Sequence, residues 1–89
     1  MDDQEKLLEN DLKVYVDVLE VRRKDGTIIP CVIKWEDGRN YRVDKVLSVQ
    51  PKATRKGGGT GIRYYVRVHG HETEMYLEEK KWFVVRDVG

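Results

Sequence analysis

The chain has few of the residues that cross-link small proteins. Its 89 residues include one cysteine, Cys31, and two histidines. A single cysteine excludes an internal disulfide, and these three residues cannot supply four ligands for a structural zinc ion. We therefore expect a fold that depends on side-chain packing, with no cofactor and no metal.

Long apolar segments are also absent. No run approaches the roughly 18 apolar residues that a transmembrane helix needs. The N-terminus, Met1-Asp2-Asp3-Gln4-Glu5, is acidic where a signal peptide is basic and then apolar. These features predict a cytoplasmic protein without a membrane segment. Because 89 residues leave room for one core, we expect an acidic leader over residues 1–12 and a single domain over residues 13–89.

Acidic residues are missing from one long stretch. Residues 45–71 contain six lysines and arginines and no aspartate or glutamate, although the formal net charge of the chain is only +1. Residues 1–44 hold eight cations and eleven acids, and residues 72–89 hold three and five. Such a concentrated basic stretch favours an anionic partner such as RNA or DNA.

The leader combines its acids with Leu7, Leu8 and Leu12. This pattern is compatible with a short amphipathic helix capped by Asp2 or Asp3. It is equally compatible with a frayed segment before the first strand, because isolated helices of this length are marginal. The sequence leaves both alternatives open.

After the leader, apolar and polar residues alternate with a period of two, which indicates strands. The first strand is predicted to run to about Arg23, where Asp25-Gly26 is typical of a two-residue type I′ turn. That turn pairs Val18 with Ile33. It places Cys31 on the inward face, and Pro30 is expected where the ladder needs no donor.

The next turn is predicted from the period of the strands. A two-residue Asp37-Gly38 turn would set apolar side chains opposite polar ones. A three-residue loop with Gly38 in the left-handed conformation instead brings Ile33 beside Tyr41 or Val43. The third strand is expected over residues 40–49, with a bulge near residues 44 and 45 because its apolar positions change phase.

Two more turns complete the pattern. Gly70-His71 fits a type II′ turn, which pairs Tyr65 with Tyr76. A Glu79-Lys80 turn then pairs Tyr76 with Phe83. Six short strands with one long Gly-rich loop, residues 50–61, predict an all-β fold. We expect a six-stranded antiparallel meander that forms a small barrel or roll, SH3-like or OB-like, with or without an N-terminal helix.

The basic residues offer a candidate nucleic-acid site. Lys52, Arg55 and Lys56 lie in the Gly-rich loop, and Arg63 follows at its exit. The loop lacks the residue order of a nucleotide P-loop and leads into a strand, so it predicts contact with a phosphodiester backbone or a simple connector. In the predicted register, Arg63 and other cations also face glutamates across the hairpin, which would cancel much of their field.

Aromatic side chains offer a second candidate surface. Tyr65, Tyr76 and Phe83 are predicted to form an outward row on three adjacent strands. Such a row would serve a protein partner or a homodimer, or would form a second small core under the leucines of the leader.

Residues for catalysis are lacking. Cys31 has no nearby histidine, no Ser-His-Asp set is apparent, and His69-Gly70-His71 lacks a further ligand at metal-site spacing. Trp35 and Trp82 fall on inward faces and are expected in the core. We therefore predict a binding module and no enzyme.

Three segments, Trp35-Glu36-Asp37-Gly38-Arg39-Asn40-Tyr41, Gly57-Gly58-Gly59-Thr60-Gly61-Ile62-Arg63-Tyr64 and Trp82-Phe83-Val84, carry a resemblance. They are similar to a group of short uncharacterised bacterial proteins with no assigned function. The resemblance covers residues 13–86, and the acidic leader is an addition to it. It implies kinship of fold and brings no activity or site.

Overall fold

The computed structural model describes residues 13–53 and 60–85, which form six antiparallel strands. They are β1 (Lys13–Arg22), β2 (Ile28–Lys34), β3 (Asn40–Ala53), β4 (Thr60–Val68), β5 (His71–Glu78) and β6 (Lys81–Val85). Each strand pairs with the next, and β6 pairs with β1, so the sheet closes into a barrel. The predicted all-β meander is confirmed. The leader, residues 1–12, lies outside the described residues.

The β1–β2 turn differs from the predicted type I′ turn. Its loop has three residues, 24–26, because the amide of Arg23 donates to the carbonyl of Thr27 at 2.8 Å and the amide of Gly26 donates to the carbonyl of Arg23 at 3.0 Å. The φ of Gly26 is 92°, as in a G1 bulge. The carboxylate of Asp25 accepts a 2.9 Å hydrogen bond from the amide of Thr27. Hydrogen bonding from the side chain of Thr27, and then from its amide, holds the pKa of Asp25 below its usual value.

A bulge in β2 compensates for the longer loop. Glu20 pairs with Pro30 and Leu19 with Val32, so Cys31 is the extra residue. Beyond it, β1 and β2 return to the predicted register, in which Val18 faces Ile33 and Asp17 faces Lys34.

The bulge corrects the predicted position of Cys31. This residue is half-buried rather than in the core, and its Sγ lies 3.7 Å from the carbonyl oxygen of Ile29. Pro30 is fully buried. The amide of Arg23 donates across the hairpin. Because the backbone groups of successive strand residues point to opposite sides, those of Glu20, three residues earlier, point away from β2. Pro30 therefore lies where no donor is required, as predicted.

The β2–β3 turn confirms the three-residue loop. The amide of Trp35 donates to the carbonyl of Arg39 at 2.8 Å, and Gly38 has a φ of 88°. Ile33 pairs with Tyr41, one of the two partners expected. The loop restores the parity of the strands, so the apolar face stays inward.

The β3–β4 hairpin is longer than expected and has two bulges. One lies at Asp44, as predicted, and a second at Leu47 was not anticipated. Residues 50–53 pair with residues 60–63. Residues 50–53 and 60–61, at the two ends of the predicted 50–61 loop, therefore belong to β3 and β4. A ladder of backbone hydrogen bonds does not require apolar and polar side chains to alternate, so the sequence pattern did not reveal these residues as strand.

The β4–β5 turn contradicts the predicted type II′ turn. Its central residues are His69 and Gly70, with φ of 51° and 75°, which is the type I′ conformation. The register is consequently two residues away from the prediction, and Tyr65 pairs with Glu74. A shift of two keeps every side chain on its predicted face. The ring of His69 lies edge-on to that of Tyr41, with 5.3 Å between their centroids. This contact stabilises a histidine at a position whose positive φ favours glycine.

The β5–β6 turn agrees with the prediction. Tyr76 pairs with Phe83, and Glu78 with Lys81. The two turn residues, Glu79 and Lys80, have positive φ although neither is glycine.

The barrel interior is apolar and its few polar atoms are paired. The buried core consists of Val14, Val16, Ile33, Tyr64, Val66, Met75, Leu77 and Trp82. The hydroxyl of Tyr64 donates to the carbonyl of Ile28 at 2.7 Å, and Trp82 Nε1 donates to Glu20 Oε1 at 2.8 Å. Burial, with a contribution from Glu20, raises the pKa of Tyr64.

Candidate functional site

Four cations lie on the outer face of the β3–β4 hairpin. Lys45 pairs directly with Arg67, while Arg63 pairs with Gln50 and Lys52 with Gly61 two positions further along. We call Lys45, Lys52, Arg63 and Arg67 the basic ribbon. Two of the predicted nucleic-acid residues, Lys52 and Arg63, belong to it, and the other two, Arg55 and Lys56, lie outside the described residues.

Glutamates of β5 approach one side of the basic ribbon. Arg67 Nη2 lies 3.3 Å from Glu72 Oε2, and Arg63 Nε lies 3.7 Å from Glu74 Oε2. The predicted register instead pairs Arg67 with Glu74 and Arg63 with Glu78, an error that follows from the β4–β5 turn. Both ion pairs are partly exposed, and such pairs contribute roughly 0–1 kcal/mol.

Arg63 is the most constrained member of the ribbon. Its Nη2 donates to Gln50 Oε1 at 2.8 Å, and its guanidinium carbon lies 5.5 Å from the ring centroid of Tyr65. The Nε atom is buried and makes no hydrogen bond, although it lies within ion-pair distance of Glu74. The 3.7 Å separation is therefore an electrostatic contact rather than a hydrogen bond.

The predicted row of three exposed rings does not form. Tyr65 pairs with Glu74, and Tyr76 and Phe83 stack on each other at 5.0 Å with only 8% and 3% of their surfaces exposed. The ring beside Phe83 is instead Tyr15, at 5.6 Å, which is 58% exposed. Tyr15 was missed because the pairing of β1 with β6 has no local signal.

Lysines cover the two stacked rings. The ammonium of Lys13 lies 4.7 Å from the centroid of Phe83, and that of Lys52 lies 4.5 Å from the centroid of Tyr76. The hydroxyl of Tyr76 donates to Glu74 Oε2 at 2.9 Å. Burial and this carboxylate raise the pKa of Tyr76.

A cleft of about 650 Å³ opens at the start of β6. It is lined by Trp35 and Trp82, the only tryptophans of the chain, together with Tyr15, the lysines at positions 34, 80 and 81, and the carboxylates at positions 17, 20 and 36. Trp82 is buried, as expected, whereas Trp35 is only half-buried. The cleft exists because β1 pairs with β6 over residues 13–16 and with β2 from residue 17 onward.

The chain matches no protein-family model, no curated protein and no solved structure. The resemblance to short bacterial proteins accordingly stays a prediction. In the part of the chain that the structure describes, no helix is long and apolar enough to cross a membrane.

Proposed function

We propose that this barrel is a binding module that contacts the sugar-phosphate backbone of RNA or DNA along the basic ribbon, with little sequence preference. The observation that supports the proposal is the β3–β4 register. It sets Lys45 directly opposite Arg67, although like charges in that position destabilise a ladder. A phosphate bound between the two side chains would remove the repulsion.

The spacing of the cations suits an extended polyanion. Arg63 and Arg67 are four residues apart on β4, which corresponds to roughly 13 Å along a strand. At 3.4 Å per nucleotide in a stacked strand, this covers about four nucleotides. Tyr65 lies between the arginines on the same face and offers a ring on which a base can stack.

The neighbouring glutamates leave the surface usable. Each pairs with one arginine at the edge of the ribbon, and a phosphate can replace an exposed carboxylate at small cost. Among the described residues, none forms an ion pair with Lys45. The ribbon therefore keeps a positive potential on its β3 side.

The test is the fluorescence anisotropy of a labelled single-stranded RNA, and separately of a DNA duplex, titrated with the protein at low and near-physiological salt. If the four cations each contact a phosphate, log K for the RNA should fall with log salt with a slope of about −3. Replacing Lys45 and Lys52 together by glutamine should reduce that slope by about 1.4.

A matched double variant controls for general charge. Lys24→Gln combined with Arg39→Gln also removes two positive charges, but from the β1–β2 and β2–β3 turns. This variant should leave the affinity for RNA nearly unchanged. Absence of binding at low salt would contradict the proposal. Equal affinities of the ribbon and turn variants would contradict the assignment of the site to β3 and β4.

A further inference from the structure

The cross-strand neighbours of Tyr65 leave its ring accessible on the outer face of the sheet. Its partner on β3 is Ser48, whose side chain is too small to cover a ring. Its partner on β5 is Glu74, but the carboxylate of Glu74 accepts a hydrogen bond from Tyr76 and lies 3.7 Å from Arg63 Nε. Tyr65 itself is half-buried rather than enclosed.

One face of the Tyr65 ring is already occupied. The guanidinium carbon of Arg63 lies over it, 5.5 Å from the ring centroid, and Gln50 holds that guanidinium through a 2.8 Å bond from Nη2. Arg67 lies two residues away in the other direction along β4, and its Nη2 is 3.3 Å from Glu72 Oε2. Among residues 13–53 and 60–85, no cation and no second ring lies over the opposite face of the Tyr65 ring.

The spacing along β4 suits a planar group beside this face. Residues two apart on one side of a strand are separated by about 6.8 Å. This is twice the roughly 3.4 Å between stacked bases, so one base fits between Tyr65 and Arg67. Aromatic rings and arginine guanidinium planes are the groups on which unpaired bases stack in proteins that bind single strands. In a duplex, the neighbouring bases already cover both faces, so only an unpaired base can enter.

A cation lies close to where the phosphate of such a nucleotide would be. Lys45 pairs directly with Arg67 across the ladder, so it lies on the β3 side of the same position. Its side chain is exposed and forms no ion pair with the described residues. A base beside Tyr65 and a phosphate near Lys45 would therefore belong to one nucleotide, which joins the stacking contact to the basic ribbon.

We propose that the basic ribbon binds single-stranded nucleic acid and that one unpaired base stacks between Tyr65 and Arg67. This inference rests on the proposed function and adds to it a preference for single strands and a contact with a base. Stacking tolerates any sequence, because every base has a flat face. It also supplies contact free energy that salt does not screen, unlike the phosphate contacts.

The first test separates the bases from the phosphates. A labelled single-stranded DNA of about eight nucleotides, longer than the ribbon, is compared by fluorescence anisotropy with an abasic counterpart that keeps every phosphate. We expect the abasic strand to bind about tenfold more weakly, with a similar dependence on salt. At near-physiological salt, the duplex of the same sequence should also bind more weakly than the single strand, because it offers no unpaired base.

Variants of single tyrosines locate the stacking contact. Tyr65→Leu keeps a large apolar side chain on β4 but removes the ring, so the affinity for the single strand should fall about tenfold. The same variant should show no such loss with the abasic strand, and Tyr65→Phe, which retains the ring, should restore binding. Tyr15→Leu is the matched control, since it removes a tyrosine that is 58% exposed on β1, and it should bind the single strand normally.

A fluorescent base gives a readout that phosphate contacts alone would not change. The emission of 2-aminopurine is quenched when the base stacks on an aromatic ring. We place one 2-aminopurine between abasic nucleotides, so that it is the only base available to the protein. Its emission should fall on saturation with the unmodified protein and should stay constant with Tyr65→Leu.

The outcomes separate this inference from the proposed function. Equal binding of the intact and abasic strands would overturn the stacking contact and leave the backbone contact of the basic ribbon in place. Equal losses for Tyr65→Leu and Tyr15→Leu would overturn the assignment to Tyr65. Absence of binding by every strand at low salt would contradict the proposed function, and the stacked base with it. RNA of the same sequence distinguishes the two nucleic acids, since a loss on Tyr65→Leu with only one of them assigns the stacking position to that one.

Discussion

The two faces of the sheet formed by β4, β5 and β6 bury their aromatic rings in different ways. On the inner face, Tyr64 and Met75 are almost completely buried by barrel closure, and the tyrosine hydroxyl is bonded to a backbone carbonyl. On the outer face, Tyr76 and Phe83 are nearly as buried, yet lysine side chains lie over them.

The inner residues therefore form a fixed core, whereas the outer rings lie under side chains that can move. Inner contacts involve side chains with no access to water, so any loss leaves a cavity. Lysines instead cover a ring with a flexible stem and keep the ammonium in water, and they can move aside. Lys52 belongs both to this cover and to the basic ribbon, so the outer layer connects stability with the proposed binding.

The largest expected effect comes from breaking the inner face. Met75→Ala should lower the free energy of unfolding by about 2–5 kcal/mol, because Met75 is fully buried and its neighbours cannot fill the space. Urea denaturation followed by circular dichroism would measure this. Val85→Ala, on an exposed residue of β6, should change stability by less than about 0.5 kcal/mol. Similar losses for both variants would show that the core is misassigned.

An intermediate effect is expected from removing one tyrosine hydroxyl on each face. Tyr64→Phe should cost about 1–3 kcal/mol, since it leaves the carbonyl of Ile28 without its described partner in a half-buried position. Tyr76→Phe should cost less than about 1 kcal/mol, because Glu74 is partly exposed and can bind water. Thermal unfolding of the two variants tests the order. A larger loss at Tyr76 would mean that the outer layer, not the interior, holds the critical hydrogen bond.

The smallest effect concerns the charge that covers the outer rings. Lys52→Met keeps the stem over Tyr76 but removes the ammonium, and it should lower stability by about 0.5–1 kcal/mol. The loss should shrink at high salt, because partly exposed charges are screened. Lys24→Met, in an exposed turn, is the matched control. If the two variants lose the same stability, the cation over Tyr76 contributes nothing.

The turns show how far the sequence predicts register. The β2–β3 loop and the β5–β6 turn were correct, because only one loop length set apolar side chains opposite apolar ones. At the β1–β2 turn, Asp25-Gly26 is compatible both with a two-residue type I′ turn and with a three-residue loop. The structure has the three-residue loop, and Cys31 is an extra residue in β2. A dipeptide signal cannot reveal that a bulge in the next strand will absorb the difference.

The β4–β5 turn failed for a related reason. Turns centred on Gly70-His71 and on His69-Gly70 differ in register by two residues, and both keep every side chain on the same face. The period of the strands therefore could not distinguish them. The choice depends on the type I′ twist and on the contact between His69 and Tyr41, which lies on a distant strand.

The candidate surfaces were predicted unequally. Two predicted nucleic-acid residues, Lys52 and Arg63, lie near each other on adjacent strands, and the acid-free stretch that indicated them is visible in the sequence. The cleft was not predicted. Its walls come from β1, β2 and β6, and both tryptophans had been assigned to the interior on alternation alone.

The sequence by itself determined the number of strands, the face of nearly every side chain and the antiparallel meander, because alternation and short turns are local properties of the chain. Only the tertiary structure decided where β1 leaves β6 for β2. The pairing of β1 with β6 joins residues about 70 positions apart, and no turn sets its register. It therefore depends on how the whole barrel closes. Closure is what brings Tyr15 beside Phe83 and forms the cleft at the start of β6.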